Sequence, residues 1–216
     1  LVEALENVYA GWRMKRMRYI ADTVDFQLEE PTVVTLGKFD GRHRGHQKLL
    51  HTMEELKETL GYATAIFTFS TAPLSLVTGE AATVITTSEE RRHNMEKMGI
   101  DYLVEYPFTD DVRKMDPSVF VKDILVKRMR AKAMVVGPDC SFGYKGAGNV
   151  ELLRSLSKEL GFELYVIQKE KDHRRDISST YIREELSLGN VAKANELLGE
   201  PYAIHGIVVH GNHIGG

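Results

Sequence analysis

One cysteine, Cys140, stands in 216 residues, which excludes an internal disulfide framework and suits a reducing cytoplasm. No apolar run approaches the roughly 18–20 residues that a membrane-spanning helix needs. A secretory leader is not expected either, because residues 1–10 carry Glu3 and Glu6 and lack a long apolar stretch. Charge of one sign is scarce: 28 Lys and Arg against 31 Asp and Glu leave a net −3, which provides no global field for nucleic acid or an acidic membrane. The basic runs at 13–18 and 127–132 are therefore expected on solvated helix faces. The P-loop pattern G-x-x-x-x-G-K-[ST] is missing too, which disfavours kinase and ATPase chemistry of that class. Internal repeats and low-complexity segments are absent from the chain.

What remains is 43% hydrophobic and 27% charged, enough for one large soluble domain or one domain plus the start of another. Met17-Arg18-Tyr19-Ile20 reads as the start of the folded part, with residues 1–16 as an extension of unassigned role. Apolar, β-branched stretches predict strands at 32–36, 63–69, 102–106, 133–136 and 162–168, and a late one at 202–210. Helical patterns fall between them, at about 45–60, 88–98, 117–129, 150–160 and 181–188, and from Asn190 to Leu198. The stop and start signals are explicit: Gly61, Gly99 and Gly161 as C-terminal caps, Thr87-Ser88-Glu89-Glu90 as a capping box, and Asp116-Pro117 and Asn149 as N-terminal caps. Apolar strands separated by helices predict an α/β fold, a Rossmann-like open parallel sheet with helices on both faces. Right-handed crossovers then gather every strand-to-helix loop at one edge, where open α/β sheets bind ligands.

Three segments of that edge carry chemistry. The first, residues 37–46, reads G-K-F-D-G-R-H-R-G-H, between a buried strand and a helix. This geometry brings an anion against free backbone N–H groups and the positive end of a helix dipole, so a phosphate chain is the expected ligand. His43 and His46 stand at its mouth, where imidazoles donate to phosphoryl oxygens as charge builds in a transition state. A plain tight turn with solvated histidines is the alternative. The second is Ser178-Ser179-Thr180-Tyr181-Ile182-Arg183, where Arg183 shares a helix face with Ser179 and Thr180 and completes a phosphate clamp. An N-cap with spare polar neighbours is the alternative there. The third is the loop 137–148, with four glycines in twelve residues and with Phe142 and Tyr144 available to stack on a ring. By itself it reads equally as a mobile surface loop.

Taken in this order, G-x-F-D-G-x-H-x-G-H, then G-x-D-x-x-F-G, then S-S-T-x-I-R resembles the adenylyltransferase module of bacterial FAD synthetases, within the H-x-G-H nucleotidylyltransferase superfamily. The resemblance runs from about Met17 to Pro201 and implies the nucleotidylyltransferase fold. It further implies transfer of AMP from ATP to FMN, giving FAD and pyrophosphate without a covalent enzyme intermediate. On that footing His43, His46 and Arg183 are the catalytic candidates, and Ser179 and Thr180 join the phosphate clamp. Gly37, Phe39, Asp40 and Gly45 shape the nucleotide pocket, with Gly137, Asp139, Phe142 and Gly143 on the adenine and ribose side. Mg²⁺ is implied, carried mainly by the ATP phosphates rather than by protein ligands. The implied partners are ATP and FMN, with neither nucleic acid nor membrane, and the implied location is the cytoplasm.

Two positions depart from the family pattern: Lys38 replaces its usual Asn, and Ser70-Thr71-Ala72-Pro73 replaces a D-P-H-P-like run on the flavin side. A nucleotidylyltransferase acting on another phosphorylated acceptor, such as a pantetheine phosphate or a nicotinate nucleotide, therefore stays open, as does a non-catalytic flavin or nucleotide sensor. The segment 202–216, with G-I-V-V-H-G, resembles the first strand of a β-barrel riboflavin kinase module. The expected organisation is thus an extension over 1–16, an adenylyltransferase domain over 17–201 and a kinase-like stub over 202–216.

Overall fold

The computed structural model describes residues 16–70, 83–204 and Gly206. The extension expected over 1–16, the 70–73 departure and the late strand expected at 202–210 lie largely outside the described residues.

Six parallel strands form one sheet: β1 (Arg18–Ala21), β2 (Thr32–Leu36), β3 (Ala63–Phe69), β4 (Tyr102–Tyr106), β5 (Ala131–Val136) and β6 (Glu163–Val166), in spatial order β1-β4-β3-β2-β5-β6. The chain steps outward from β2 through β3 to β4, then returns to place β5 on the other side of β2. The strand order thus reverses between β2 and β5. Loops leaving these two strands diverge to opposite faces and open a crevice between them, the position where such sheets hold ligands. The β2–β5 register slips after Thr32, which pairs with Ala131 while Val33 pairs with Ala133.

Alternation along the strands builds a core on each face. Val34, Ala65, Phe67, Val104, Met134 and Val136 point into one cluster with Phe120, Ile124, Leu125 and Leu153. Val33, Ile66, Leu103, Ala133 and Val135 point into the other with Leu50, Met53 and Met95. Helices therefore cover both faces, as the continuous apolar strands demand. On the second face lie α1 (Arg44–Leu60) and α2 (Ser88–Lys97); α5 (Val150–Leu160) lies on the first, after the short helices α3 (Asp110–Arg113) and α4 (Pro117–Val119).

The expected caps form as read. Gly61 and Gly161 adopt left-handed backbone, with φ +69° and +73°. Thr87 and Glu90 exchange both capping-box hydrogen bonds, and Asp116 and Asn149 cap their helices. Where a regular helix was expected over 117–129, a single α-turn at Pro117–Val119 widens into a π-helix at Phe120–Arg128, closed by Met129 N–H donating to the Ile124 carbonyl at 2.9 Å. The wider turn lets Ile124 and Met129, five positions apart, both face the sheet; they are 3% and 0% exposed.

A third, smaller cluster sits under a helical pair, α6 (Ser179–Ser187) and α7 (Val191–Leu198): Ile85, Ile177, Tyr181, Ile182, Ala194, Leu197 and Leu198. Asn190 stands at the N-cap of α7, its carbonyl accepting from Ala194 N–H at 3.0 Å, but its side chain makes no cap hydrogen bond and its amide donates to Glu185 at 2.9 Å. A two-stranded hairpin, β7 (Lys171–Asp172) with β8 (Arg175–Asp176), precedes α6. Neither the hairpin nor the edge strand β1 shows in the apolar pattern, because the hairpin is polar and β1 is only four residues long.

Candidate active site

The turn after β2 is built tightly around its two histidines. Phe39 takes left-handed backbone (φ +49°) although it is not glycine, and is 2% exposed with its ring 4.8 Å from that of His46. Such a conformation is strained for an aromatic residue and persists only where packing over-determines it. Gly41 follows at φ +69°, and a side chain there would meet Ile85 at 2.9 Å. His43 is the N-cap of α1, its Nδ1 accepting the His46 backbone N–H at 3.3 Å. Its ring stacks on that of His46, with centroids 3.6 Å apart. Gly45 makes room for that stack, since a Cβ there would stand 3.2 Å from the His43 ring.

These hydrogen bonds fix which nitrogen of each ring carries the proton. His43 Nδ1 accepts, so in the neutral ring the proton is on Nε2 and that atom is a donor. His46 Nδ1 lies 2.8 Å from the Gly41 carbonyl and must donate to it, so neutral His46 offers a lone pair at Nε2. Burial pushes both well below the ordinary histidine value. His43 falls to about 3, by burial and then by the neighbouring His46. His46 falls to about 4, its burial outweighing the opposing Gly41 carbonyl and the Asp40 charge. Both rings are neutral at pH 7.

Asp40 joins three parts of the chain. Its Oδ1 accepts the backbone N–H groups of Ile85 (2.7 Å) and Thr86 (3.1 Å), and its Oδ2 accepts from Arg183 Nη1 at 2.6 Å. Its backbone carbonyl accepts from Ser179 Oγ at 2.5 Å. The turn is thereby tied to the segment before α2 and to the first turn of α6. The three hydroxyls of the S-S-T run divide their work: Ser178 caps α6, Ser179 binds Asp40, and Thr180 is exposed, with Arg183 Nη2 at 3.4 Å. The Ile177 carbonyl lies 3.8 Å from a Cβ position at Gly45, so the start of α6 closes over the histidine turn. Farther out, Gln47 donates to the carbonyls of Arg42 and Leu198 at 2.9 and 2.7 Å, and Arg42 pairs with Glu200.

The loop after β5 joins the same edge through a chain of ion pairs. Lys169 reaches Asp139 (2.8 Å) and Asp176 (3.2 Å), while its neighbour Glu170 reaches Lys48 (2.8 Å) and Arg44 (3.8 Å) on the first turns of α1. Phe142, expected to offer a ring face, instead points into the core. It is 6% exposed against Phe120, and its backbone exchanges two hydrogen bonds with Gly148. Phe142 shapes the loop from beneath, and Tyr144, 42% exposed, is the aromatic ring left at the surface. Gly143 (φ +72°) presses on Pro117, whose Cα is 2.6 Å from a Cβ position. The Gly137 backbone lies beside Asp139, whose Oδ1 is 3.1 Å from a Cβ position. Cys140 is half-buried, and burial reinforced by Asp139 pushes its thiol up to about 12, which removes it as a nucleophile. An open groove lined by Arg154, Lys158 and Tyr165 lies at the start of edge strand β6 rather than in the β2–β5 crevice.

Sequence reading missed the Ile85 and Thr86 amides, Gln47, and the buried Glu105, which binds Arg91 at 2.5 Å and Tyr19 at 2.7 Å. Arg91 also donates to the Lys38 carbonyl at 3.3 Å, holding the first residues of the turn from α2. The one local signal was Thr86-Thr87, which precedes an obvious capping box.

A histidine-capped helix at the reversal point of a parallel sheet, faced by an arginine-bearing helix start, defines an α/β protein of the H-x-G-H type. Comparison with known proteins narrows this. A family model for FAD synthetase matches residues 25–181, and the chain belongs to that family. A bifunctional riboflavin kinase/FMN adenylyltransferase of Escherichia coli (strain K12) is 35% identical over 188 residues, covering 87% of this chain and 60% of the relative. The enzyme of that name from Listeria monocytogenes is 32% identical over 195 residues, covering 89% and 62%. The chain thus spans about 60% of the length of the curated relatives it matches. A crystal structure described as a macrolide-efflux protein from Streptococcus pneumoniae superposes with a TM-score of 0.80 at 28% identity, over 91% of this chain and 66% of that one. Among the described residues no helix is long and apolar enough to cross a membrane. A pantoate-beta-alanine ligase from Francisella tularensis shares the fold, at a TM-score of 0.53 and 13% identity, over 85% of this chain and 78% of that one.

Proposed function

We propose that the chain transfers AMP from MgATP to FMN, giving FAD and pyrophosphate. An FMN phosphate oxygen attacks the α-phosphorus while the bond to the α,β-bridging oxygen breaks, and pyrophosphate leaves with that electron pair. The observation that carries this reading is the stacked pair His43 and His46 on the α1 N-terminus, with Arg183 tied to the same turn. The charge that develops is on phosphoryl oxygens, and fixed donors aimed at developing charge are the largest ordinary source of rate enhancement. His43 Nε2–H donates as it stands. His46 becomes a donor at Nε2 on taking a proton, which the negative phosphates favour against its burial. Ser179, Thr180 and Arg183 close the site from α6, with Gly37, Phe39, Asp40 and Gly45 forming the turn. Gly137, Asp139 and Gly143 form the nucleoside side of the crevice, and Phe142 supports that loop from the core.

Among the described residues no cluster of three or more His, Cys, Asp or Glu could hold a metal ion. By the family resemblance Mg²⁺ would enter as MgATP, carried mainly by the ATP phosphates. The segment 202–216 resembles, in sequence, the start of a riboflavin kinase module. The test is a chromatographic assay of the chain with ATP, Mg²⁺ and FMN, beside a riboflavin control. The expected result is FAD from FMN and no FMN from riboflavin, with His46→Ala lowering kcat by about 10²-fold or more. ATP binding without FAD formation points to a different phosphorylated acceptor or to a sensor.

A further inference from the structure

We propose that Asp40 is a positioning residue that aims Arg183 at the nucleotide phosphates, and that each of the two cancels the other's charge at the mouth of the histidine turn. The kinetic part rests on the adenylyltransfer reading; the binding part does not. Asp40 is 13% exposed and has no idle oxygen, because Oδ1 takes two amides, Oδ2 takes Arg183 and the backbone carbonyl takes Ser179. Four nearby cations are committed elsewhere: Arg42 to Glu200, Arg44 and Lys48 to Glu170, and Arg91 to Glu105. The 2.6 Å ion pair assigns Arg183 to Asp40, and among the described residues its Nη2 has one further contact, a long one to Thr180 at 3.4 Å.

A carboxylate within electrostatic reach of His46 repels a triphosphate unless it is paired. Arg183 supplies that pairing, and Asp40 in return restrains a long side chain that is 32% exposed. A mere structural anchor would need only the two amide bonds. Asp40→Asn separates these roles, since the amide oxygen still accepts from Ile85 and Thr86 while its NH₂ group cannot accept from Arg183.

The experiment is a double-mutant cycle on Asp40→Asn and Arg183→Ala. It reads melting temperature, MgATP affinity by calorimetry without FMN, and kcat and KM for FAD formation. Asp40→Asn is expected to melt within a few degrees of the parent and to bind MgATP as tightly or tighter. Its kcat falls by about 10–100-fold, the cost of a mis-aimed group. Arg183→Ala weakens MgATP about tenfold or more, because it exposes Asp40 to the phosphates. The double variant recovers affinity by about threefold or more over Arg183→Ala, a coupling that independent sites do not show. A double variant no tighter than Arg183→Ala overturns the proposal, as does an Asp40→Asn kcat within about twofold of the parent. So does an Asp40→Asn melting loss equal to that of Asp40→Ala. Should the parent chain form no FAD, the adenylyltransfer reading fails and the affinity cycle still judges the pair.

Discussion

Two stacked imidazoles in a buried turn make the protein's acid response local. A free histidine titrates near 6.5, whereas His43 and His46 in the fold are pushed to about 3 and about 4. Between pH 6.5 and 4 the unfolded chain therefore binds protons that the native turn refuses, and stability falls as pH falls through that window. Asp101 acts in a lower one. Burial raises its carboxyl, but Lys57 at 2.7 Å and hydrogen bonds from Thr64 outweigh this and leave it below the ordinary carboxylate value. Its contribution is full above the unfolded carboxylate range and is lost only as pH drops further. Thermal unfolding from pH 7 to 4.5 is expected to show a steady decline that His43→Gln flattens, since glutamine cannot take up the proton. A parent chain whose melting point is level from pH 6.5 to 4.5 would contradict the assigned burial. At this scale the histidines were legible in the sequence and the partner of Arg183 was not. Asp40-Gly41 reads only as a turn, and 143 positions separate Asp40 from Arg183.

At the scale of elements, local signals decided helix ends well and helix type poorly. Gly61, Thr87, Asp116 and Asn149 announce caps because capping is a property of a few adjacent residues. The π-helix depends instead on which side chains the sheet will accept, and Asn190, though at the N-cap, turns its side chain to Glu185. Glycine positions show the same division. Gly61 sits in the left-handed helical region (φ +69°, ψ +21°) with nothing within 4 Å of a Cβ position, whereas Gly143 (φ +72°, ψ −170°) takes a conformation all but restricted to glycine and also lies against Pro117. Gly61→Ala is expected to cost about 1 kcal/mol, the left-handed penalty alone. Gly143→Ala combines strain in a glycine-only conformation with overpacking against Pro117 and is expected to cost about 2–4 kcal/mol. Urea denaturation of the two variants checks this, and equal losses would mean that the loop yields freely at Pro117.

Over the whole molecule, the sheet order explains why so much of the site could be read in advance. Parallel strands with right-handed crossovers send every strand-to-helix loop to one edge, so three motifs spread over residues 37–183 were expected together before any contact was known. The cement between them was not readable: Ile85 and Thr86, Gln47 on Leu198, and the Lys169–Glu170 relay are set by packing rather than by motif. Because the crevice is assembled from separate segments, a ligand that bridges them binds only the folded chain and stabilises all of it. At 100 times its dissociation constant such a ligand contributes about 2.7 kcal/mol. For a domain of this size that is a rise of about 5–10 °C in melting temperature. MgATP is expected to produce this shift, with amide-exchange protection concentrated at 83–87 and 177–183 as well as at the histidine turn. Protection confined to residues 37–46 would instead mean that the nucleotide is held by the turn alone and that α6 does not close the site.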